Sequence, residues 1–284
     1  MAIITVQNLR KQYGDKIAVK DVSFSVEAGE IYGIVGRNGA GKTTTVECVA
    51  GLRSPDGGTI HVDADLKQQV GVQLQESMMP DKLRVGEALD LYASFYANPV
   101  PVQELLDEVG LDPKAAFAKL SGGQRQRLSI ALALVGNPKI AILDELTTGL
   151  DPQARRETWD LITRIRDRGV TVLLVTHFME EVERLCDRVA VISNGTVLTV
   201  DTPEGLISRT GGLQRVTFRT TVPVDGLKNL PEVHSVTVEA GQVVVTGDQN
   251  VLRAIVTALP DTAVSNLKTE TSTMDDAFLA LTGE

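Results

Sequence analysis

The chain of 284 residues holds only two cysteines, Cys48 and Cys186. Each sits inside an aliphatic run, a pattern of buried thiols in a reducing compartment and not of a disulfide framework. No run of about 18 apolar residues occurs, so no segment is expected to cross a bilayer as a helix. The longest apolar runs, 170–175 and 130–135, have the size of core elements. The start, MAIITVQNLRKQY, lacks the long apolar segment of a signal peptide. Aromatic residues make up 4%, so aliphatic side chains must fill the core. An excess of basic residues is also missing. The formal charge is −9, which argues against general nucleic-acid binding, because phosphate backbones need a basic surface. Any phosphate site must then be local, made by backbone and a few cations. The reading is a cytoplasmic chain whose membrane work, if any, is done by a partner.

What is present is ordinary globular composition, with 43% hydrophobic and 23% charged residues. Residues 4–7 and 22–26 alternate apolar and polar, as antiparallel strands with one buried face do. Residues 30–35 form a short apolar strand, followed by a glycine-rich loop and a helix over 44–50. Gly51, Pro55, Gly57 and Gly58 break the chain. Helical spacing at 85–96 and 102–109 predicts a small helical insert, about 76–120. Helices are expected at 124–135, 152–168 and 178–186, and buried strands at 139–143 and 170–176. Residues 189–192 and 197–200 suggest a hairpin through Asn194 and Gly195. Buried strands alternating with helices predict an α/β fold with a parallel sheet covered on both faces. Past residue 212 the pattern changes to alternating strands and two helices. Two domains are expected: 1–211, and a small α+β domain at 212–284.

The chemistry begins at Gly36, Arg37, Asn38, Gly39, Ala40, Gly41, Lys42 and Thr43, which match G-x-x-x-x-G-K-[ST] between a strand and a helix. Glycines let backbone N–H groups curl around phosphate oxygens, and the helix start adds positive potential. Lys42 would reach the β- and γ-phosphates. Thr43 would ligate Mg²⁺, with Thr44 beside it. Residues 140–145 form an apolar strand ending in Asp144 and Glu145. Such a strand delivers its carboxylates to the sheet edge where ligands gather. Asp144 suits Mg²⁺, and Glu145 suits the orientation or deprotonation of attacking water. Ser121, Gly122, Gly123 and Gln124 open the predicted 124–135 helix as a second anion cradle; a plain Ser N-cap and glycine turn explains them equally well.

Taken together, these motifs resemble the ABC ATPases in order and approximate spacing, over about residues 2–205. The stretch from Leu120 to Gln124 looks like that family's signature motif. Gly149, Leu150 and Asp151 look like its D-loop, and His177 looks like its switch histidine. Gln75 looks like the loop glutamine that touches Mg²⁺ and the membrane partner, with Gln73 two residues away as the alternative. Tyr13 matches the aromatic that stacks on adenine. Leu146 departs from the pattern, which usually has proline there to stiffen the turn.

The resemblance implies that ATP and Mg²⁺ lie between the phosphate loop of one copy and Ser121 to Gln124 of a second, head-to-tail copy. It also implies an integral-membrane permease on a separate chain, with this subunit on the cytoplasmic face of the plasma membrane. The short insert and the run at 275–283 resemble drug-resistance-type export ATPases. These members move drugs, antibiotics, lipids or polysaccharides. An importer subunit or a soluble, non-transport ABC ATPase is the alternative. One ATPase half argues against the ribosome-acting type. The absence of a long coiled coil argues against the DNA-maintenance type.

Overall fold

The computed structural model describes residues 1–73, 79–209, 214–220, 222–239, 241–248, 250–259 and 264–282, and every count below is of those residues. The chain divides into two compact units, Met1–Thr202 and Pro203–Glu284. The division falls ahead of position 212, where the sequence pattern changes, because helix α7 (Pro203–Arg209) groups with the second unit.

In the first unit, β1 (Ala2–Tyr13) and β2 (Lys16–Glu27) pair antiparallel. Their alternation is the one that a half-buried sheet requires: Ile4, Val6, Val22, Phe24 and Val26 point into the core. The register shifts between Val6 and Leu9, where Asn8 takes φ 47°. That bulge returns Leu9 to the buried face despite the odd spacing. Strand β4 (Gly57–Val62) pairs with the outer edge of β1.

Strands β3 (Ile31–Val35), β5 (Val70–Gln73), β6 (Ile140–Asp144) and β7 (Thr171–Thr176) are parallel neighbours. Every residue of β3, β6 and β7 is buried, as a sheet covered on both faces demands. Strand β8 (Arg188–Ser193) runs parallel to β3 and turns back into β9 (Thr196–Asp201). The turn residues Asn194 and Gly195 have φ 50° and 78°, the positive pair that a two-residue hairpin turn matching strand twist uses. The nine strands lie in the order β4-β1-β2-β9-β8-β3-β7-β6-β5.

Helix α1 (Lys42–Val49) packs on β1 and β2, α4 (Gly122–Leu134) on β5 and β6, and both α5 (Pro152–Asp167) and α6 (Met179–Leu185) on β7. Helices α2 (Val85–Ala93) and α3 (Val102–Val109) form the insert and meet α4. No described helix is long and apolar enough to cross a membrane. Register sets the site. Val35 lies beside Thr176, and Val175 beside Asp144. Gly36, Glu145 and His177 therefore leave three adjacent strands at the same carboxyl edge.

In the second unit, β10 (Gln214–Thr220), β11 (Val233–Glu239), β12 (Gln242–Gly247) and β13 (Val264–Thr271) form an antiparallel sheet in the order β11-β12-β10-β13. Helix α8 (Val251–Ala258) contributes Val251 and Ile255 to a core with Val216, Phe218, Leu227 and Val245. Helix α9 (Met274–Thr282) packs on α7.

Candidate active site

The loop after β3 turns tightly, with Ala40 N–H donating to Arg37 O at 3.1 Å. Two of its glycines are required by space. A Cβ on Gly36 would meet Ile192 O at 2.3 Å; Gly41 has φ 102°, and its Cβ would meet Ala18 O at 2.5 Å. Helix α1 opens at Gly41 with no side-chain cap and no acid in its first turn, so its first N–H groups and positive end face the loop. Lys42 is 5% exposed. Its Nζ donates back to Gly36 O at 2.8 Å and Arg37 O at 3.2 Å. Burial pulls the Lys42 pKa down, with Glu145 and Asp144 opposing. A cleft of about 300 Å³ is lined by Asn38, Gly39, Gly41, Lys42, Thr43 and Thr44 on one side, and by Glu145, Lys16 and Ala18 on the others.

Asp144 is fully buried, and its backbone N–H donates to Gln73 Oε1 at 3.1 Å. Burial pushes its carboxyl up to about 6, and the nearby Glu145 charge adds to this; the Thr43 hydroxyl and Lys42 act the other way. Neither Asp144 oxygen has a well-formed hydrogen bond. A buried carboxylate without full partners is costly, and a divalent cation beside Thr43 would satisfy it. The residues present thus fit Mg²⁺, a hard cation that takes oxygen ligands.

Glu145 follows with φ 50°, a left-handed backbone that costs a non-glycine residue on the order of 1–3 kcal/mol and gathers at functional sites. Its N–H is held by Val175 O at 2.9 Å. Its Oε1 lies 3.3 Å from His177 Nδ1 and 3.9 Å from Lys42 Nζ. Leu146, at the position of the missing proline, is buried. Its side chain anchors the turn by packing.

The other expected residues sit apart from this cleft. Ser121 caps α4, accepting from Gln124 N–H at 3.2 Å, while Gln124 Oε1 accepts Ser121 N–H at 2.9 Å. The helix begins at Gly122, earlier than the apolar pattern starts, because this reciprocal box supplies the first turn. Ser121 and Gly122 are exposed, and none of Ser121, Gly122, Gly123 or Gln124 lines the cleft. Asp151 caps α5, accepting from Gln153 N–H and Ala154 N–H at 2.9 Å each. Tyr13 is 39% exposed, with Lys11 and Arg53 at 5.6 and 5.4 Å from its ring centre. Gln75 lies outside the described residues.

Sequence reasoning missed Lys16 and Ala18, which reach the cleft from the start of β2. Their nearness to Tyr13 across the Gly14 turn was the signal. It also left Gln73 as a mere alternative to Gln75, although its buried amide holds Asp144 in place.

Residues 19–148 match the protein family described as ABC transporter. The chain is 42% identical over 222 residues to the Nod factor export ATP-binding protein I of Burkholderia orbicola, covering 73% of each. It is 36% identical over 225 residues to the linearmycin resistance ATP-binding protein LnrL of Bacillus subtilis, covering 74% of this chain and 72% of that one. A solved dimeric structure of a bacterial ABC transporter cassette superposes with a TM-score of 0.62 at 26% identity, over 70% of this chain and 98% of the other.

Proposed function

This chain belongs to the ABC transporter ATP-binding proteins, and we propose that it is the ATP-hydrolysing motor of an exporter whose permease is a separate chain. The observation that carries the reading is the convergence of Lys42, Asp144, Glu145 and His177 on one sheet edge beside a phosphate-loop cleft. The export direction is supported by relatives named for Nod factor export and linearmycin resistance.

The residues divide the work as follows. Asn38 to Thr44 wrap the phosphates with backbone N–H groups and the helix start. Lys42 exchanges its bonds to Gly36 O and Arg37 O for phosphate oxygens, a short swing for a buried ammonium. Thr43 and Asp144 would hold Mg²⁺, with Gln75 the further ligand that the family resemblance implies. When bound, Mg²⁺ would supply positive charge to offset the negative charge of the phosphates. Glu145 orients the attacking water, and His177 fixes the carboxylate that does so. Tyr13 offers its ring to adenine. Ser121 to Gln124 and Asp151 do not line their own cleft, which suits a head-to-tail dimer in which each copy completes the other's site.

The Glu145→Gln protein, loaded with ATP and recovered from native membranes, tests the reading. We expect a polytopic permease to co-purify, without a solute-binding protein. Recovery of a solute-binding protein would turn the reading to import. Recovery of ribosomal proteins alone would remove transport altogether.

A further inference from the structure

Glu181 is a carboxylate that hydrolysis as described leaves unused. It is 1% exposed, at the third position of α6. Its Oε1 accepts from the Thr147 hydroxyl and, at 3.0 Å, from Trp159 Nε1–H. Its Oε2 accepts from the Thr176 hydroxyl at 2.5 Å. Three donors from three elements thus converge on one buried side chain.

Two of those donors flank the hydrolytic pair. Thr147 is two residues after Glu145, and its carbonyl accepts Leu150 N–H at 3.1 Å in the turn that leads to Asp151. Thr176 immediately precedes His177, and its hydroxyl also accepts Phe178 N–H at 3.0 Å, so it brackets the histidine. Trp159, buried in α5, supplies a fixed third point. A buried carboxylate is costly unless it is well partnered, and an apolar residue of similar volume would pack α6 on β7 without that cost. The hydrogen bonds give the acid a use that packing does not: they join the Glu145 turn to the His177 turn through one rigid node.

We propose that Glu181 is a positioning residue for ATP hydrolysis, fixing the separation of Glu145 and His177 through Thr147 and Thr176. This rests on the reading of Glu145 and His177 as the hydrolytic pair.

The test measures kcat and ATP affinity on the full chain. Glu181→Gln keeps the shape but turns N–H groups toward donors. Its kcat is expected to fall roughly 10- to 100-fold, the loss that a small misplacement of reacting groups causes, while ATP affinity stays within about threefold, since no phosphate contact is touched. Thr147→Val and Thr176→Val, which each delete one donor, are expected to lower kcat in the same way, with Thr147→Ser and Thr176→Ser restoring it. These four variants decide the matter if Glu181→Gln does not fold. The double variant Glu181→Gln/His177→Ala is expected to be no slower than His177→Ala alone, because both act on one unit. Unchanged kcat in Glu181→Gln overturns the proposal, as do losses that multiply in the double variant. If Glu145→Gln itself keeps turnover, the reading of the pair fails first. If Glu145→Gln is dead while Glu181→Gln and both Val variants are fully active, the positioning role alone fails.

Discussion

Glu145 Oε1 sits between His177 Nδ1 at 3.3 Å and Lys42 Nζ at 3.9 Å. One carboxylate oxygen is therefore shared by a side chain from the end of β7 and one from the start of α1. When Lys42 turns to phosphate, His177 is left to hold the acid in place. His177→Ala is expected to lower kcat by roughly 10- to 100-fold, the rate equivalent of one hydrogen bond to a charged group, with ATP affinity little changed. Steady-state kinetics beside equilibrium binding checks the split.

Lys42→Ala acts on binding instead. The ammonium is already buried, so its charge meets phosphate in a site with little water. Losing a charge-assisted bond of about 1.5–3 kcal/mol weakens ATP binding by roughly 10- to 100-fold. Titration with a fluorescent ATP analogue measures it.

Asp144 makes the empty protein pH-sensitive. Its carboxyl is pushed up to about 6 from an ordinary 3.8, mainly by burial. The native state thus keeps a proton that the unfolded chain releases between those values. Stability is highest below the unfolded value, falls as pH rises through about 6, and stays at the lower level beyond it. The loss is on the order of 3 kcal/mol at 1.36 kcal/mol per unit. Without metal and nucleotide, Asp144→Asn is expected to melt higher than the parent above pH 6 and to match it near pH 4. Thermal melts at the two pH values check this.

The exposed Ser121 half-site predicts complementation between copies. Ser121→Arg spoils one half-site and Lys42→Ala the other, so at ATP concentrations that saturate only the parent each protein alone is expected to be nearly inactive. Mixed, about a quarter of the parent rate returns, because half of randomly paired dimers are hybrids and each hybrid holds one intact site of two. ATPase assays on mixtures at varied ratio report it.

The phosphate loop and the acidic strand end were legible because their function fixes local spacing. The strand-loop-helix around Lys42 and the apolar run into Asp144 are contiguous in sequence. The 194–195 hairpin was legible for the same reason. Ser121 was ambiguous from residues alone, and the structure shows why: it is both an N-cap and an exposed residue. Lys16 and Glu181 were not legible, and Gln73 was legible only as an alternative to Gln75. Each gains its place from a partner distant in sequence, Lys16 across the cleft, Gln73 from Asp144 and Glu181 from Thr147 and Trp159. A lone glutamate at the start of a helix reads as a solvated first-turn acid, and only the packing of α6 against β7 makes it a buried node. Asn8 was equally silent, since a bulge is a property of two paired strands and not of one.

Whether Glu145 activates the attacking water is decided by the turnover of Glu145→Gln measured beside its ATP affinity. Its kcat is expected to fall by roughly 10²- to 10⁴-fold, the usual share of a general base, with ATP bound as tightly as by the parent. Near-normal turnover in that variant would contradict it.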